Sequence, residues 1–260
     1  MPHISFSELK NWKQCPFYHK LTYIDKIDGF VGNEHTAFGR AVHESCDRLL
    51  IHGDDGNMYE FFINEFEKEI ETLLMKDVEL NQKMVNEMVE QGEKLLPLVL
   101  PATKEYLGDF TVVSTEEQLM VPVTEGDNDI VGYNFKGFID LVVKTPDGKY
   151  HIIDWKTCSW GWDRRRRAEP MTTYQLTLYK HYFAKKHKLD PKNIETHFAL
   201  LKRTAKKNNV EFFRVTSGPK KTQNALNLLT KAVYNIFNRR HFKNRLACQR
   251  CEFYRTEHCP

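Results

Sequence analysis

The stretch KYHIIDWKT, residues 149–157, decides the predicted fold. Ile152 and Ile153 follow a Pro-Asp-Gly turn and predict a short buried strand. Side chains two residues apart on a strand point the same way, so we expect Asp154 and Lys156 on one face. A carboxylate beside an ammonium at the end of an apolar strand is typical of sites that hold a divalent cation and a phosphate. For this pair alone, a surface salt bridge is the alternative.

A second acid makes the salt bridge less favoured. Residues 138–143, FIDLVV, predict another apolar strand with Asp140 inside it. A lone carboxylate among Ile, Leu and Val is costly unless something pairs with it. If the two strands form a hairpin, Asp140 comes close to Asp154, and the two acids predict a metal site.

Composition predicts one soluble globular domain over residues 1–260, because 41% of the residues are hydrophobic and 28% are charged. There is no apolar run of membrane-spanning length and no signal peptide at the Met-Pro-His-Ile start. We therefore expect a cytoplasmic protein with reduced thiols and no membrane partner.

The net charge of +3 hides a strong asymmetry along the chain. Residues 54–129 carry 19 acidic side chains against 5 lysines, whereas residues 180–250 carry 18 basic side chains against 3 acidic ones. A run of four arginines, which is often only a solvated loop, precedes the basic part: Arg164, Arg165, Arg166 and Arg167. Nucleic acid is the favoured partner, and an anionic protein or membrane surface is the alternative.

The N-terminal third predicts two helices. Ser5 and Glu8 form a capping box for the first helix, which ends at Cys15 before a proline. The second helix spans residues 35–50, and its core-facing positions are Phe38, Val42, Ser45 and Leu49. His43 lies one step off this apolar stripe, where a structural histidine is the alternative to a ligand.

Residues 54–109 predict an acidic helical insertion, with helices over 59–74 and 82–106 broken near Pro97 and Pro101. The rest of the chain predicts strands and helices in alternation. An antiparallel meander is predicted from three strands, over 110–123, 131–143 and 150–155, with a turn at 126–129. After it come a helix over 171–187, strands over 195–202 and 210–215, a helix over 222–238 and a cysteine tail over 240–260.

Hydrolysis of a phosphodiester needs an activated water and a neutralised phosphate, which divalent metals supply. Asp140 and Asp154 are the predicted ligands of Mg²⁺ or Mn²⁺, with the backbone carbonyl of Trp155 as a third. His43 completes the set if its helix packs against the strand ends. Lys156 would orient the attacking water and stabilise the developing charge.

Four motifs in this order resemble the RecB/AddB-type branch of the PD-(D/E)XK nucleases: Gly39-x-x-x-His43, Gly137-Phe138-Ile139-Asp140, Asp154-Trp155-Lys156-Thr157 and Gln175-x-x-x-Tyr179. The resemblance implies a restriction-endonuclease-like α/β core, a mixed central sheet flanked by helices. It implies metal binding by the histidine and both aspartates, and catalysis by the lysine. Gln175 and Tyr179 would support the site near the DNA; a polar edge of a packing helix is their alternative. The family's proline before the first acid is replaced here by Ile139.

The cysteines suggest a second centre. Cys248, Cys251 and Cys259 lie close in sequence, and Cys15 could supply a fourth thiolate. Spacing alone fits zinc or a [4Fe–4S] cluster and favours zinc; unligated thiols are a further alternative. AddB-type nucleases and the related CRISPR-adaptation exonucleases carry four cysteines in matching places, so the resemblance implies a [4Fe–4S] cluster that joins the two ends of the chain. His258 is a substitute ligand, while Cys46 and Cys158 match nothing.

The expected activity is metal-dependent hydrolysis of DNA, exonucleolytic on single-stranded ends, in recombination, repair or end processing. A bacterial or phage-infected host cell and a helicase or recombinase partner agree with the resemblance, which extends to a phage origin. The alternatives are a non-catalytic DNA-binding or recombination-accessory module, and an endonuclease. Cleavage polarity, DNA against RNA preference and oligomeric state stay open.

Overall fold

The structure, a computed structural model, describes residues 1–27, 29–125 and 132–260. Within these residues, six strands form one mixed sheet with helices on both faces. The restriction-endonuclease-like α/β class is therefore confirmed. The predicted turn at 126–129 lies outside the described residues.

The central sheet has the order β1-β3-β4-β5-β6, and β2 pairs with the other side of β3. β2, β3 and β4 are antiparallel, as predicted for the meander, whereas β4 and β5 are parallel. The strands are β1 (His3–Ser5), β2 (Thr111–Pro122), β3 (Asn134–Lys144), β4 (Tyr150–Cys158), β5 (Ile194–Lys202) and β6 (Val210–Arg214).

β3 and β4 separate in the middle of the sheet and form a fork. Their pairing ends where Leu141 lies opposite Ile153. β1 pairs with β3 further along, at residues 134–136. The first side chains beyond the last β3–β4 pair are Asp140 on one strand and Asp154 on the other. The fork therefore positions the two predicted metal ligands side by side.

Nine α-helices lie in the described residues: α1 (Phe6–Gln14), α2 (Pro16–His19), α3 (Glu34–His52), α4 (Met58–Leu74), α5 (Gln82–Leu95), α6 (Val99–Leu107), α7 (Arg164–Ala168), α8 (Pro170–His187) and α9 (Pro219–Phe237). The predicted capping box starts α1, since Ser5 Oγ accepts from the Glu8 N–H at 3.1 Å and the Glu8 carboxylate accepts from the Ser5 N–H at 3.3 Å. The four predicted core positions of α3 are all buried. None of the described helices is both long and apolar enough to cross a bilayer.

Two hydrophobic cores lie on opposite faces of the sheet because strand side chains alternate. Ile152 and Phe198 face a layer that contains α1, α8 and α9. Ile153 and Trp155 face the layer of α3, α4, α5 and α6. The helices predicted for residues 54–109 thus share a core with α3 and the sheet.

One local expectation, the helix break near Pro101, was wrong. Pro97 does interrupt the helix, through a 3-10 turn at Leu96–Leu98, but Pro101 causes no break. It lies in the first turn of α6, where a proline removes no helical hydrogen bond. The arginine run, for which no structure was predicted, forms the short helix α7, and the Asp163 carboxylate caps it by accepting from the Arg166 N–H at 2.7 Å.

Candidate active site

The two carboxylates at the fork are buried and held by protein donors. Asp140 is 9% exposed, and its Oδ2 accepts from the backbone N–H of Trp155 at 2.7 Å. Asp154 is 1% exposed, and its Oδ1 accepts from the amide Nε2 of Gln175 on α8 at 2.8 Å. Each acid therefore has one oxygen fixed by a protein N–H donor.

Lys156 lies on the same face as Asp154, as strand alternation predicts. Its ammonium forms an ion pair with Oδ2 of Asp154. Burial lowers the pKa of this lysine, but the negative charges of Asp154 and Asp140 outweigh burial and raise it. The lysine is therefore a fixed positive charge at physiological pH.

The positive charge near the two buried carboxylates does not offset the cost of burying their negative charges. Burial raises the pKa of Asp140 and that of Asp154 to about 6, although the Lys156 ammonium opposes the shift at both. Among the described residues, Oδ2 of Asp154 receives no hydrogen bond of good geometry, and the Lys156 ammonium lies beside it. A cation bound here would relieve this cost, because it stabilises both charged carboxylates.

His43 comes from α3, in the opposite layer from Gln175. Its Nδ1 lies 3.6 Å from Oδ2 of Asp140. Burial, followed by the Lys156 ammonium, lowers its pKa to about 4. The imidazole is thus neutral at pH 7, which is the form that binds metals.

Gly39 allows α3 to approach the end of β4. A Cβ at this position would lie 3.3 Å from Oγ1 of Thr157, closer than ordinary contacts. Gly39 is one turn before His43 on α3. The small residue of the first motif therefore lets the helix carry its histidine to the fork.

Gln175 and Tyr179 connect α8 to both strands of the fork. Gln175 Nε2 donates to Asp154 and also lies 3.4 Å from the Tyr179 hydroxyl. A Cβ on Gly137 would lie 2.8 Å from the Tyr179 ring, so that ring packs directly on the β3 backbone. The second and fourth motifs are in contact.

The donor set fits a hard divalent cation. Two carboxylates, a neutral imidazole and a backbone carbonyl suit Mg²⁺ or Mn²⁺, and Mn²⁺ accepts imidazole more readily. Within the described residues, the ligand atoms of His43, Asp140 and Asp154 are not all within 4.8 Å of one another. Binding of an ion would therefore draw these side chains together.

Glu116 belongs to the same neighbourhood and was missed by the sequence reasoning. It lies opposite Asp140, since Thr115 pairs with Leu141 and Glu117 pairs with Ile139. Its φ of +47° is strained for a residue other than glycine. Burial and the charges of Glu44 and Asp154 raise its pKa. The signal in the sequence was an acidic residue inside a predicted strand. Which residue lies opposite it depends on the register between β2 and β3.

Asp47 is a second missed acid, one turn after His43 on α3. It is 8% exposed, and its Oδ1 has no hydrogen-bond partner in the described part of the chain. Burial, followed by the charges of Glu116 and Asp140, raises its pKa to about 8. The spacing of four residues from His43 was the signal that could have identified it.

An open cleft of about 750 Å³ leads to the site. Acidic side chains form much of its rim, which attracts cations. Its lining includes His43, Trp155 and Lys156 together with Glu44, Glu65, Glu69 and Glu116.

The arginine run is only partly available to a ligand. Arg167 pairs with Glu211 at 2.6 Å, and Arg166 lies over the Trp162 ring at 4.4 Å. Arg164 and Arg165 are exposed on α7, which follows the loop after β4.

The four predicted cluster cysteines come together from both ends of the chain. Cys15, Cys248, Cys251 and Cys259 line one pocket. The neighbouring backbone is joined there, since the Phe17 N–H donates to the Phe242 carbonyl at 3.1 Å. Burial, followed by the surrounding cysteines, raises the pKa of the Cys251 thiol.

His258, the substitute ligand, lies near Glu257 at 3.5 Å and does not line this pocket. Cys46 is buried in the α3 layer, and Cys158 ends β4.

The family assignment rests on a match over almost the whole chain. The sequence model of the PD-(D/E)XK nuclease superfamily matches residues 3–256. The chain belongs to this superfamily. Nucleases of the superfamily use divalent metals, in agreement with the acids at the fork.

Solved structures are similar to this nuclease in fold. A protein of Eubacterium rectale, named "Putative exonuclease", has 14% identity and a TM-score of 0.61, with 97% of this chain and 87% of that chain covered. The structure of SSO0001 has 13% identity and a TM-score of 0.41, with 96% and 83% covered. No curated protein sequence matches the nuclease.

Proposed function

We propose that this nuclease is a Mg²⁺- or Mn²⁺-dependent deoxyribonuclease that acts as an exonuclease on single-stranded DNA ends. The observation that carries the proposal is the fork, where His43 lies 3.6 Å from Asp140 and the Lys156 ammonium pairs with Asp154. The structural neighbour from Eubacterium rectale, which shares the fold of this chain, is named as an exonuclease, and this name supports the proposal.

The side chains divide the work of hydrolysis. Asp140, Asp154, His43 and the Trp155 carbonyl would hold the ion. The bound ion supplies a Lewis acid for the phosphate and lowers the pKa of a water. Lys156 orients the attacking water and places a positive charge where negative charge develops on the phosphate. We expect the lysine to act there as a point cation.

Gln175 and Tyr179 keep this arrangement in place. Gln175 fixes one oxygen of Asp154, so that Oδ2 stays directed towards Lys156 and the ion. Such partners of metal ligands preserve ligand orientation. Tyr179 positions Gln175 and packs on Gly137.

Exposed aromatic and basic side chains near the site favour a single-stranded substrate. Phe138, two residues before Asp140, is 42% exposed, and Trp160, just after β4, is 73% exposed. Unpaired bases stack on such rings without regard to sequence. Arg164 and Arg165 lie beyond Trp160 and suit the phosphate backbone.

A cleavage assay with labelled linear single-stranded DNA tests the proposal. With Mn²⁺ or Mg²⁺, the wild-type chain should degrade the strand, and Lys156→Ala should lower the rate by at least about 10²-fold, the loss typical of a removed charge-stabilising group. Lys144→Ala is the matched control, because this lysine lies at the far end of β3 over the Tyr150 ring. An inactive wild type with both metals would refute the proposal.

Two other functions are outcomes of the same experiment. Cleavage of circular single-stranded DNA would identify an endonuclease, because a circle has no end. Salt-sensitive DNA binding without cleavage, unchanged by Asp154→Ala, would identify a binding module. We place the exonuclease in DNA recombination, repair or end processing, in the cytoplasm of a bacterial or phage-infected cell, with a helicase or recombinase as partner.

We also propose that Cys15, Cys248, Cys251 and Cys259 bind a [4Fe–4S] cluster. A zinc ion with Zn–S bonds of about 2.3 Å holds its thiolates about 3.8 Å apart. Among the described residues, no three of these sulfur atoms lie within 4.8 Å of one another. A cubane binds each thiolate to a different iron and spaces them more widely. The cluster would fasten the C-terminal tail to α1 and α2.

Elemental analysis of anaerobically purified protein separates the cluster from zinc. We expect about four iron and four sulfide per chain and a brown colour, all lost in Cys251→Ser. Cys158→Ser is the matched control and should keep the cluster. One zinc and no iron in the wild type would replace the cluster with a zinc site.

A further inference from the structure

We propose that His151, Glu195 and His197 form a second metal site, separate from the nuclease centre, for a borderline divalent ion such as Zn²⁺. Parallel pairing of β4 with β5 sets His151 opposite Glu195 and Ile153 opposite His197. The three side chains thus lie on one face near the starts of both strands. Each offers one ligand atom, and these atoms all lie within 4.8 Å of one another.

The two imidazoles face each other in a geometry close to that of zinc ligands. His151 Nδ1 and His197 Nε2 are 3.1 Å apart. Two nitrogens at about 2.0–2.1 Å from a tetrahedral zinc ion are about 3.4 Å from each other. A shift of a few tenths of an ångström would therefore admit the ion.

The outer ring nitrogens already have the partners that metal-bound histidines need. His151 Nε2 lies 3.1 Å from the Thr145 hydroxyl, and His197 Nδ1 lies 3.1 Å from the Tyr106 hydroxyl. Such contacts fix the tautomer of a ligand histidine. Both hydroxyls can donate or accept.

Protons balance when the ion binds. Without the ion, the facing nitrogens share one proton in a hydrogen bond. With the ion, that proton moves to the outer nitrogen of the same ring, so both outer N–H groups donate to hydroxyls. Thr145 can accept because its own hydroxyl proton goes to Asp147. Both rings stay neutral, and no net proton is released.

The charges around the three ligands determine affinity. Burial keeps both imidazoles neutral by lowering their pKa, that of His197 to about 3. Glu195 supplies the negative charge but also contacts Arg214 at 3.1 Å and Lys149 at 3.7 Å. Lys149 has Asp147 as another partner at 3.2 Å. Arg214 is therefore the cation that competes most directly with a metal.

The location separates this site from the chemistry at the fork. His151 has the same strand parity as Ile153 and Trp155, so it faces the α3–α6 layer, whereas Asp154 faces α8. Tyr106, which holds His197, belongs to α6. A bound ion would therefore join β4 to β5 and leave a fourth coordination position for water.

Zinc counting across variants tests this site. Added zinc can also occupy the cysteine pocket of cluster-free protein or the nuclease centre, so the difference in zinc count between wild type and variant is the readout. Wild type should bind one more zinc per chain than His197→Asn or Glu195→Gln. His181→Asn, a histidine paired with Glu125, is the matched control and should bind as many as wild type. Zinc at a hundredfold excess over Kd should raise the wild-type unfolding temperature by about 5 °C.

Arg214→Gln gives the decisive contrast. If a metal competes with this arginine for Glu195, the substitution should tighten zinc binding at the new site. If the three side chains are only a hydrogen-bonded relay, all variants will show the wild-type zinc count and the same zinc-dependent shift, and the site is refuted. Should His197→Asn fail to fold, the Glu195→Gln and Arg214→Gln proteins decide. Mg²⁺-dependent cleavage, measured separately, tests the nuclease centre.

Discussion

Replacing Gly137 with alanine should disturb the catalytic centre through α8, without touching a ligand. The added Cβ would lie 2.8 Å from Cε1 of Tyr179, whereas ordinary contact begins at 3.4 Å. The tyrosine ring must therefore retreat by the difference, about 0.6 Å. Gln175 contacts the Tyr179 hydroxyl and holds Asp154, so the displacement reaches the buried carboxylate.

The added methyl group should lower stability by overpacking the core, and the displaced carboxylate should lower kcat. Forcing a methyl group into a packed core costs about 1–3 kcal/mol. In a chain of this length, each kcal/mol lowers the unfolding temperature by about 2–4 °C, so we expect a decrease of about 2–12 °C. A displacement of this order at a catalytic group should lower kcat by about 10- to 100-fold. DNA affinity should stay close to that of the wild type.

Thermal unfolding in EDTA and single-strand cleavage in Mn²⁺ measure the two effects. Gly218→Ala is the matched control, because its Cβ meets nothing within 4 Å and its φ of −78° suits alanine. It should leave kcat unchanged and cost at most about 1 kcal/mol for the poorer helix cap.

The same substitution in a second mutant background shows whether the clash with the tyrosine ring causes the loss of stability. In a Tyr179→Leu protein the ring is gone, and adding Gly137→Ala should lower stability by much less than in the wild type. Equal destabilisation in both backgrounds would refute the contact between β3 and α8 as the source of the effect.

Three further predictions concern the neighbours of the site. Gln175→Leu removes the donor to Asp154 and should raise the Mn²⁺ concentration for half-maximal cleavage by about 10- to 100-fold; an unchanged requirement would contradict its role. The folded-state pKa of Asp47, about 8, lies above its ordinary 3.8, so the cost of burying its charge grows as pH rises between these values. Asp47→Asn should therefore raise the unfolding temperature in EDTA more at pH 9 than at pH 5, and equal shifts would exclude this explanation. Joint replacement of Arg164 and Arg165 by glutamine should reduce the slope of log affinity against log salt by about 1.4, if each contacts one phosphate of single-stranded DNA; the same slope would remove α7 from the interface.

Local patterns were enough to predict the centre of the fold. Strand alternation put Asp154 and Lys156 on one face, and the ion pair agrees with it. The Ser5–Glu8 box fixed the start of α1 because both hydrogen bonds lie within four residues. The helix of His43 was predicted from its apolar stripe, and its approach to Asp140 came from the family resemblance.

Features that depend on how strands far apart in sequence pair with each other could not be predicted from local patterns. β1 has three residues, and only its pairing with β3 makes it a strand. Glu116 is a neighbour of Asp140 because β2 and β3 pair in one particular register. Asp47 is significant only because its helix turns it towards that pair of acids. The cysteine quartet was predicted from the sequence, the preference for an iron–sulfur cluster over zinc came from the resemblance, and its metal stays a proposal.

The split origin of the proposed catalytic groups has a consequence for synthesis of the protein. His43 belongs to one helical layer, Gln175 to the other, and the fork lies between them. A nascent or half-folded chain that has docked only one layer lacks either the imidazole or the amide support. We therefore expect the proposed cleavage of DNA only from chains that have docked both layers.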